Sequence, residues 1–381
     1  MAGNGQQTEV DALLAAALRG EAPAWPADGE AAVAVEQILY HGIAGLITAQ
    51  AHELASWPSE VMAPVREQAI AQAMWEMRHK PLLAGLLTAL ADAGITALLL
   101  KGSALAYDLY PEPSARSRGD SDVLIAPGDL ADARRVLARL GFDRGSDETA
   151  SDDLALQETW SITGERGLQH HIDLHWQLLN APALAGVMEF QDCAVRPLAL
   201  PRLGPDALAM SHVATLLHTC VHRATHITAP YFVDGVRYYG GDRLIWAKDI
   251  DLLASSLSTT GWDDFAGAAL QQRVAKVALN GLDFAARVVG TKIPSQLRER
   301  LGKARNERAS AYLLSAGQVN RSWSDLLAIP GWRRRLAYAV SRAAPSAAFM
   351  RAKYPDMKAR PLAALYARRV IDLLRPRPAR R

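Results

Sequence analysis

The fold of this chain is limited most by a short apolar run that ends in Lys-Gly-Ser. The run ITALLL (95–100) is bounded by Gly94 and by Lys101-Gly102, and it is too short for an ordinary helix. We therefore expect a buried strand that delivers Lys101, Gly102 and Ser103 to its end. The following residues, ALAYDLY, have helical spacing. Gly102 and Ser103 would then lie at a strand-to-helix turn, where free backbone N–H groups can bind an anion such as phosphate.

Two aspartates follow on the next predicted strand, which reads RGDSDVLI over residues 118–125. Side chains alternate between the two faces of a strand, so Asp120 and Asp122 share one face. Neighbouring carboxylates repel each other, and a divalent cation between them removes that repulsion. A surface turn with two solvated acids is the alternative, but the apolar residues after Asp122 favour a strand with a metal site.

A third carboxylate lies in the stretch HHIDLHW, at residues 170–176. Asp173 stands between apolar Ile172 and Leu174 and shares a strand face with His175. Three such carboxylates are typical of two-metal phosphoryl or nucleotidyl transfer, in which one ion activates the attacking hydroxyl and the other clamps the triphosphate. Asp173 could instead pair with an arginine. His175 could be a metal ligand, a base or a structural hydrogen-bonding residue.

Three polar residues near the predicted turn each have two interpretations. Lys101 is either an exposed strand end or a point charge that reaches triphosphate oxygens. Arg118, on the same predicted strand face as Asp120, is either the charge partner of the aspartates or a phosphate ligand. Ser103 is a helix N-cap, a phosphate ligand or both.

Histidines recur along the predicted helix over residues 206–223. His218 and His222 stand four residues apart and could share a zinc ion. No Glu follows His218 in the manner of an H-E-x-x-H site. We therefore favour a polar helix face that borders the phosphate-binding region.

The composition is that of a globular protein with room for two or three domains. Half of the 381 residues are hydrophobic and 22% are charged. No apolar run approaches the roughly 18 residues that a membrane span requires, and the first twenty residues lack the basic start of a secretory signal. Cys193 and Cys220 are far apart, so we expect reduced thiols and a cytoplasmic protein.

The pattern of periodicities predicts an α/β (α+β) fold with a small mixed sheet flanked by helices. A long helix is expected from about Ser59 to Ala93, ahead of the first strand, and another helix is expected to end at Gly141. The segments 154–163 and 168–176 are expected to form a hairpin or adjacent strands. Residues from about 181 to 203 are expected to form an irregular connection, and helical patterns dominate after it.

We divide the chain into four predicted parts: a helical N-terminal extension (1–58), the core with the strands (59–180), a larger helical C-terminal domain (181–330) and a basic helical segment with a tail (331–381). The last part holds 14 of the 42 Lys and Arg and only two of the 40 Asp and Glu. Such a surface can bind nucleic acid, acidic lipid or an acidic protein. A solvated helical end with a disordered terminus, RPRPARR, is the simpler interpretation.

Five separated motifs resemble one known family. The Gly-Ser turn, the Asp-x-Asp strand and the later lone acid are similar to the DNA polymerase-β-like nucleotidyltransferase superfamily. Within it, the sequence over roughly residues 60–290 resembles the uncharacterised bacterial nucleotidyltransferase family NTP_transf_5. The motifs that carry this resemblance are KGSALAYDLY, Arg-x-Asp-x-Asp at 118–122, LARLGF at 137–142, IDLHW and RLIWAKDIDLL at 243–253.

The resemblance implies metal-dependent transfer of a nucleoside monophosphate from an NTP, with ATP the expected donor, to a hydroxyl-type acceptor with release of pyrophosphate. Mg²⁺ or Mn²⁺ would be bound by three aspartates that also carry the catalysis, Asp120, Asp122 and Asp173. Two of them, Asp120 and Asp122, would hold both ions. The nucleotide would contact Lys101, Gly102, Ser103, Arg118, Lys248 and Asp249, the last two from a helix that faces the cleft.

Two departures from the superfamily pattern keep an alternative open. Its usual Gly-Gly-Ser reads Lys101-Gly102-Ser103 here, and its third acid is Asp173 where the narrower family more often has Glu. A nucleotide-binding scaffold protein of the same fold without turnover is therefore one alternative, and an RNA-directed enzyme that uses the basic C-terminus is another. The predicted site residues contact the phosphates and the metal, so they do not identify the acceptor. It can be a small molecule, a peptide, a protein or RNA.

Overall fold

A seven-stranded mixed sheet lies at the centre of the molecule and is surrounded by helices. The computed structural model describes residues 3–145, 156–164, 167–227, 230–233, 236–239, 241–314, 317–343 and 359–374, together with residues 347, 350, 351, 354 and 357. The basic tail at 375–381, which we expected to be disordered, lies outside the described residues.

The chain begins with helices, as its periodicity predicts. They are α1 (Gly3–Leu18), α2 (Ala31–His41), α3 (Ala44–Ala49) and the long α4 (Ser59–Asp92). Apolar residues of α1 to α3 and of the first turns of α4 contribute to one hydrophobic cluster, which is the reason why these short helices are stable. The long helix predicted from about Ser59 to Ala93 is confirmed, since α4 covers Ser59–Asp92.

The sheet contains β1 (Leu98–Leu99), β2 (Asp120–Leu124), β3 (Asp143–Arg144), β4 (Gln157–Thr163), β5 (Gln169–His175), β6 (Leu198–Ala199) and β7 (Leu208–Ala209), in the order β3-β4-β5-β2-β1-β7-β6. β2 pairs with β5 in parallel and β1 pairs with β7 in parallel, whereas the other neighbours are antiparallel. The predicted hairpin is the antiparallel pair β4 and β5. The predicted irregular connection is wrong in part, because β6 falls within it and joins the sheet through β7.

Two helices of the core follow the strands: α5 (Lys101–Asp108) after β1, and α6 (Leu130–Arg139) after β2. Beyond β7 the described residues are mainly helical, as predicted, and they include a two-stranded hairpin of β8 (Pro230–Val233) and β9 (Val236–Tyr239). The helices that follow β5 include α7 (Phe190–Cys193), α8 (His212–His226), α9 (Leu244–Ser256), α10 (Thr259–Gln271), α11 (Ala275–Val289), α12 (Ser295–Gly302), α13 (Arg308–Leu314), α14 (Gln318–Ala328), α15 (Trp332–Ala343) and α16 (Leu362–Leu374).

The two faces of the sheet pack against different helices. Alternate residues of β2 show this, since Val123 belongs to a cluster with apolar side chains of α4 and α6, and Leu124 belongs to the cluster that includes α8, α9 and α11. The same larger cluster contains residues of α1 and α2. The N-terminal and C-terminal helices therefore share one core on the side of the sheet where Asp120 and Asp122 project. The boundaries at residues 58, 180 and 330 stay predictions.

α8 and α11 approach each other closely at a glycine. A Cβ added to Gly281 would lie 2.6 Å from Sγ, 2.9 Å from Cβ and 3.2 Å from Cα of Cys220. Cys220 and Cys193 are both buried and free, as expected. Only glycine at position 281 lets the two helix backbones come this close.

The described part of the basic C-terminal segment includes an exposed helix, α15. On α15, Trp332, Leu336 and Val340 form an exposed apolar stripe, and the exposed Arg333 and Arg334 follow Trp332 directly. Within the described residues, every helix is too short or too polar to cross a membrane.

Replacement of Gly281 by alanine is expected to destabilise the protein. The added methyl group meets Cys220 backbone and side-chain atoms that cannot all move away, and overpacking of this kind costs about 1–3 kcal/mol of unfolding free energy. Urea unfolding measures this loss. Gly267→Ala in α10 is the matched control, because nothing lies within 4 Å of its added Cβ, and it should leave stability equal or slightly higher. Equal stability of the two variants would contradict the close packing.

Candidate active site

Asp122, Asp173 and His175 form a group of potential metal ligands, here called the Asp-Asp-His group. The parallel register of β2 and β5 places Asp122 directly beside Asp173 and Leu124 beside His175. One ligand atom from each of the three group members lies within 4.8 Å of the others. The sequence placed the two aspartates on the same face of their strands, and the register brings them together.

Asp122 is the most strongly held carboxylate of the group. It is 5% exposed, and its Oδ1 lies 2.8 Å from His175 Nε2 and 2.5 Å from Lys101 Nζ. Burial alone would raise the pKa of Asp122, but the ammonium of Lys101 and the hydrogen bond from His175 outweigh burial and hold this pKa well below its usual value. Asp122 is therefore a carboxylate with a fixed orientation and a permanent negative charge.

The other two carboxylates have raised pKa values. Asp173 accepts a hydrogen bond from Thr159 Oγ1 at 2.6 Å, but burial and the charge of Asp122 raise its pKa. Asp120 lies on the same strand face, is exposed, and is not a member of the Asp-Asp-His group. Although its side chain reaches solvent, the protein around it removes part of its hydration, and this loss together with repulsion from Asp122 and Asp173 raises the pKa of Asp120 to about 7. The repulsion among these acids is what a bound dication would relieve.

The donor atoms of the Asp-Asp-His group fit a divalent cation. Carboxylate oxygens are the ligands that Mg²⁺ and Mn²⁺ prefer, and an imidazole nitrogen suits a transition metal. His175 is 2% exposed, and its Nδ1 has no hydrogen-bond partner among the described residues. A buried imidazole with an unsatisfied nitrogen beside two carboxylates supports a ligand role at this position.

The strand-to-helix turn is present as predicted. Leu100 is the N-cap of α5, and the first hydrogen bond of the helix joins Ala104 N to Leu100 O at 3.4 Å. The N–H groups of Lys101, Gly102 and Ser103 precede that bond and are free to bind an anion. Lys101 occupies the turn with a φ of 49°. This conformation is unusual for a residue with a side chain.

Ser103 differs from its predicted roles. It is the third residue of α5 rather than its N-cap, so that interpretation is wrong. Its Oγ is buried and lies 2.7 Å from Ser121 Oγ, and Ser121 Oγ lies 2.7 Å from His79 Nε2. The Nδ1 of His79 lies 3.2 Å from His170 Nδ1. This chain of contacts crosses beneath β2 and ties the turn to α4.

Arg118 does not share the strand face of Asp120, because β2 begins at Asp120 itself. Its guanidinium is buried, forms a close ion pair with Glu76 of α4 and donates to Pro113 O at 2.9 Å. Tyr107 also donates to Glu76. These contacts favour a structural role over the predicted phosphate contact.

Lys248 and Asp249 also have internal partners. Lys248 Nζ lies 3.2 Å from Asp251 Oδ2. Asp249 is 2% exposed and accepts charged hydrogen bonds from Arg116, at 2.9 and 3.1 Å from Nε and at 2.7 Å from Nη2. It also accepts one from Tyr110 at 2.7 Å. Both carboxylate oxygens are thus occupied, which favours a positioning role for Asp249 over contact with substrate.

Arg116 was not identified from the sequence, yet it supports the turn. A Cβ at Gly102 would lie 3.4 Å from the Cζ and Nη1 atoms of Arg116, so the guanidinium is in contact with the turn from below. Its partner, Asp249, lies 133 positions away in the chain. No local pattern could have revealed that pair, because Arg116 and Asp249 lie in two separate motifs of the sequence.

The histidines of α8 lie near the Asp-Asp-His group. His218 is 1% exposed, and burial together with the charge of Lys101 lowers its pKa to about 3, with a smaller opposing effect of Asp122. The ring centroids of His218 and His222 are 6.1 Å apart. Within the described residues neither belongs to a group of three or more potential ligands. His218 is thus close enough to Lys101 and Asp122 for their charges to act on its pKa.

Glu76 and Arg118 are expected to behave as a buried ion pair. Glu76→Gln leaves the Arg118 charge buried without its counter-ion and should cost about 3–5 kcal/mol of unfolding free energy. In the double variant with Arg118→Met the loss should be smaller than in Glu76→Gln alone. Urea unfolding of the double-mutant cycle measures this coupling. A raised KM for NTP in Arg118→Met, with unchanged stability, would instead show a phosphate ligand.

Because His79 is buried, we expect the protein to lose stability in mild acid. Burial, followed by the charge of Arg118 and by His170 and His171, lowers the pKa of His79 to about 3, while an unfolded histidine has a pKa of about 6.5. Between these values only the unfolded chain binds the proton, so stability decreases as the pH decreases below about 6.5, by up to about 1.4 kcal/mol per pH unit.

The variant His79→Gln should lose this contribution, and the slope of unfolding free energy against pH should fall by one proton. Chemical unfolding between pH 5 and 7 measures the slope. His52→Gln, at an exposed position, is the control and should keep the wild-type slope. An unchanged slope in His79→Gln would show that the native protein does protonate this residue.

Comparison with known proteins agrees with the geometry of the site. A family model described as uncharacterised nucleotidyltransferase matches residues 30–290, a span that contains the turn at Gly102 and all members of the Asp-Asp-His group. No curated protein and no solved structure matches the chain. Because the match covers more than half of the sequence, the chain belongs to this family of uncharacterised nucleotidyltransferases.

Proposed function

We propose that this protein transfers a nucleoside monophosphate from an NTP to an acceptor hydroxyl and releases pyrophosphate. The observation that carries the proposal is the pairing of Asp122 with Asp173 on adjacent parallel strands, beside a helix N-terminus with free N–H groups. Family membership implies the reaction class, and this geometry supports a metal site beside a phosphate-binding turn.

The proposed roles follow from position. The N–H groups of Lys101, Gly102 and Ser103 bind β- and γ-phosphate oxygens at the positive end of α5. Asp122 and Asp173 would hold a divalent cation, with Asp120 at the exposed end of β2. A bound cation would neutralise charge on the triphosphate and lower the pKa of the acceptor hydroxyl.

In the transfer step the acceptor oxygen forms a bond to the α-phosphorus. The bond from that phosphorus to the bridging oxygen breaks, and pyrophosphate leaves with the electron pair. The acceptor proton passes to Asp173 or to water. The net reaction exchanges one phosphoanhydride bond for one phosphoester bond, so no oxidant or further co-substrate is needed.

The choice of metal depends on His175. If its Nε2–H keeps donating to Asp122, the ion meets only carboxylate and phosphate oxygens, which suits Mg²⁺. If Nδ1, unpaired among the described residues, also binds the ion, the mixed donor set favours Mn²⁺. We propose Mg²⁺ or Mn²⁺ as cofactor and ATP as the first donor to test. The free thiols of Cys193 and Cys220 fit the cytoplasm as the compartment.

Asp122→Asn is expected to abolish transfer. Loss of the fixed negative charge removes the centre of the metal site, and several kcal/mol of transition-state stabilisation correspond to a decrease in kcat of at least about 100-fold. Release of pyrophosphate and transfer of label from the four α-labelled NTPs, with Mg²⁺ or Mn²⁺ in host extract, provide the assay. Asp92→Asn, at the exposed end of α4, should retain full activity.

The same assay separates the alternatives. Label that moves with the wild-type protein but not with Asp122→Asn supports the transferase, and its chromatographic position names the acceptor class. Label found on RNA selects the RNA-directed enzyme, in which the exposed Arg333 and Arg334 of α15 would contact phosphates. Magnesium-dependent NTP binding without any transfer selects the scaffold protein. Equal transfer by Asp122→Asn and wild type would refute the proposed site.

A further inference from the structure

Lys101 stands where cations are expected in this site. Its Nζ lies 2.5 Å from Asp122 Oδ1, and the side chain is 24% exposed. The ammonium thus forms an ion pair with Asp122, one of the three carboxylates that the sequence assigned to metal.

The backbone holds the ammonium in this position at an energetic cost. Lys101 has a φ of 49°, in the left-handed region that costs a residue with a Cβ about 1–2 kcal/mol. Glycine adopts this region freely, so the surrounding structure holds Lys101 in a conformation that a residue with a side chain disfavours. The side chain thereby carries a positive charge from the first residue of α5 to Asp122 on β2.

The oxygen atoms of Asp122 limit the number of metal ions. In a two-metal site one carboxylate must bridge the ions. Asp122 is the aspartate placed for this task, because it contacts Lys101 and lies directly beside Asp173. Its Oδ1 already contacts Lys101 Nζ at 2.5 Å and His175 Nε2 at 2.8 Å. Only Oδ2 is left for a metal ion. Among the described residues, the Asp-Asp-His group is also the one set of three potential ligands close enough to share an ion.

We propose that the Asp-Asp-His group takes a single divalent cation and that the ammonium of Lys101 replaces the second ion. This inference rests on the nucleotidyl transfer proposed above and changes the two-ion arrangement expected from the sequence. Lys101 lies at the N-terminus of α5, next to the N–H groups proposed to bind the β- and γ-phosphates. Its charge is therefore placed to balance the leaving pyrophosphate, which is the task of the second ion in two-metal enzymes.

The number of ions can be read from the electron paramagnetic resonance spectrum of bound Mn²⁺. Two Mn²⁺ ions about 3.5–4 Å apart couple magnetically, whereas a single ion gives an uncoupled spectrum. The full-length protein is loaded with Mn²⁺ and α,β-methylene-ATP, and unbound metal is removed by gel filtration. The wild type should show one uncoupled Mn²⁺ per chain.

Lys101→Gly is the decisive variant, because it removes the ammonium and relieves the backbone strain, so that folding is retained. It should bind a second Mn²⁺ and show the coupled spectrum. Lys101→Arg keeps the charge and should resemble the wild type. Lys248→Met is the matched control, since it removes a lysine whose partner is Asp251, and it should also show one ion.

Each outcome decides the inference. A coupled pair in the wild type overturns it and leaves the proposed transfer intact. A single uncoupled ion in both the wild type and Lys101→Gly also overturns it, because Lys101 would then not be what excludes the second ion. Equal Mn²⁺ binding by wild type and by an Asp122→Asn, Asp173→Asn double variant would show that these aspartates do not bind the metal. That result would refute the proposed function as well. One ion in the wild type and two in Lys101→Gly establishes the replacement.

Discussion

The parallel pairing of β2 with β5 is the constraint on which the whole site depends. A shift of this register by one residue would turn Asp173 to the opposite face, among the apolar side chains that pack against α4 and α6. The residues Val123, Ile172 and Leu174 oppose such a shift, because each is fully buried. The shift would move Ile172 and Leu174 to the face that carries the acids. The hydrophobic core of the sheet thus fixes the distance between two carboxylates that repel each other. The site is held together by the apolar residues between its acids.

A layer of buried charges lies beneath the turn and supports it. Arg116 is paired with Asp249, Arg118 with Glu76, and a chain of hydroxyl and imidazole groups runs from Ser103 to His79. Buried ion pairs of this kind add little net stability, but removal of one partner is costly. Their effect here is geometric: they fix the backbone of α5 so that its N–H groups point in a constant direction. Preorganised donors of that kind bind phosphate without further rearrangement.

Local patterns in the sequence predicted much of this architecture. Hydrophobic periodicity and glycines at the ends of elements are local properties of the sequence. They predicted the strands with Asp122 and Asp173, the turn at Gly102 and the long α4. The roles of Arg118, Asp249 and Ser103 could not be read in this way, because the partner of each side chain comes from a distant segment and depends on packing. The short strands β6 and β7 were missed because two residues carry no period. His175 was recognised as a candidate, but its contact with Asp122 appears only when β5 is placed beside β2.

The pair of Arg116 and Asp249 has a consequence for the order in which the protein becomes competent during synthesis. Every member of the Asp-Asp-His group has left the ribosome long before α9, yet Arg116 lies under Gly102 without a counter-charge until Asp249 arrives. A nascent chain that ends before α9 therefore contains all the acids but has an unsupported phosphate-binding turn. The C-terminal helices thus complete the support of this turn, and a chain truncated before α9 would lack the counter-charge of Arg116.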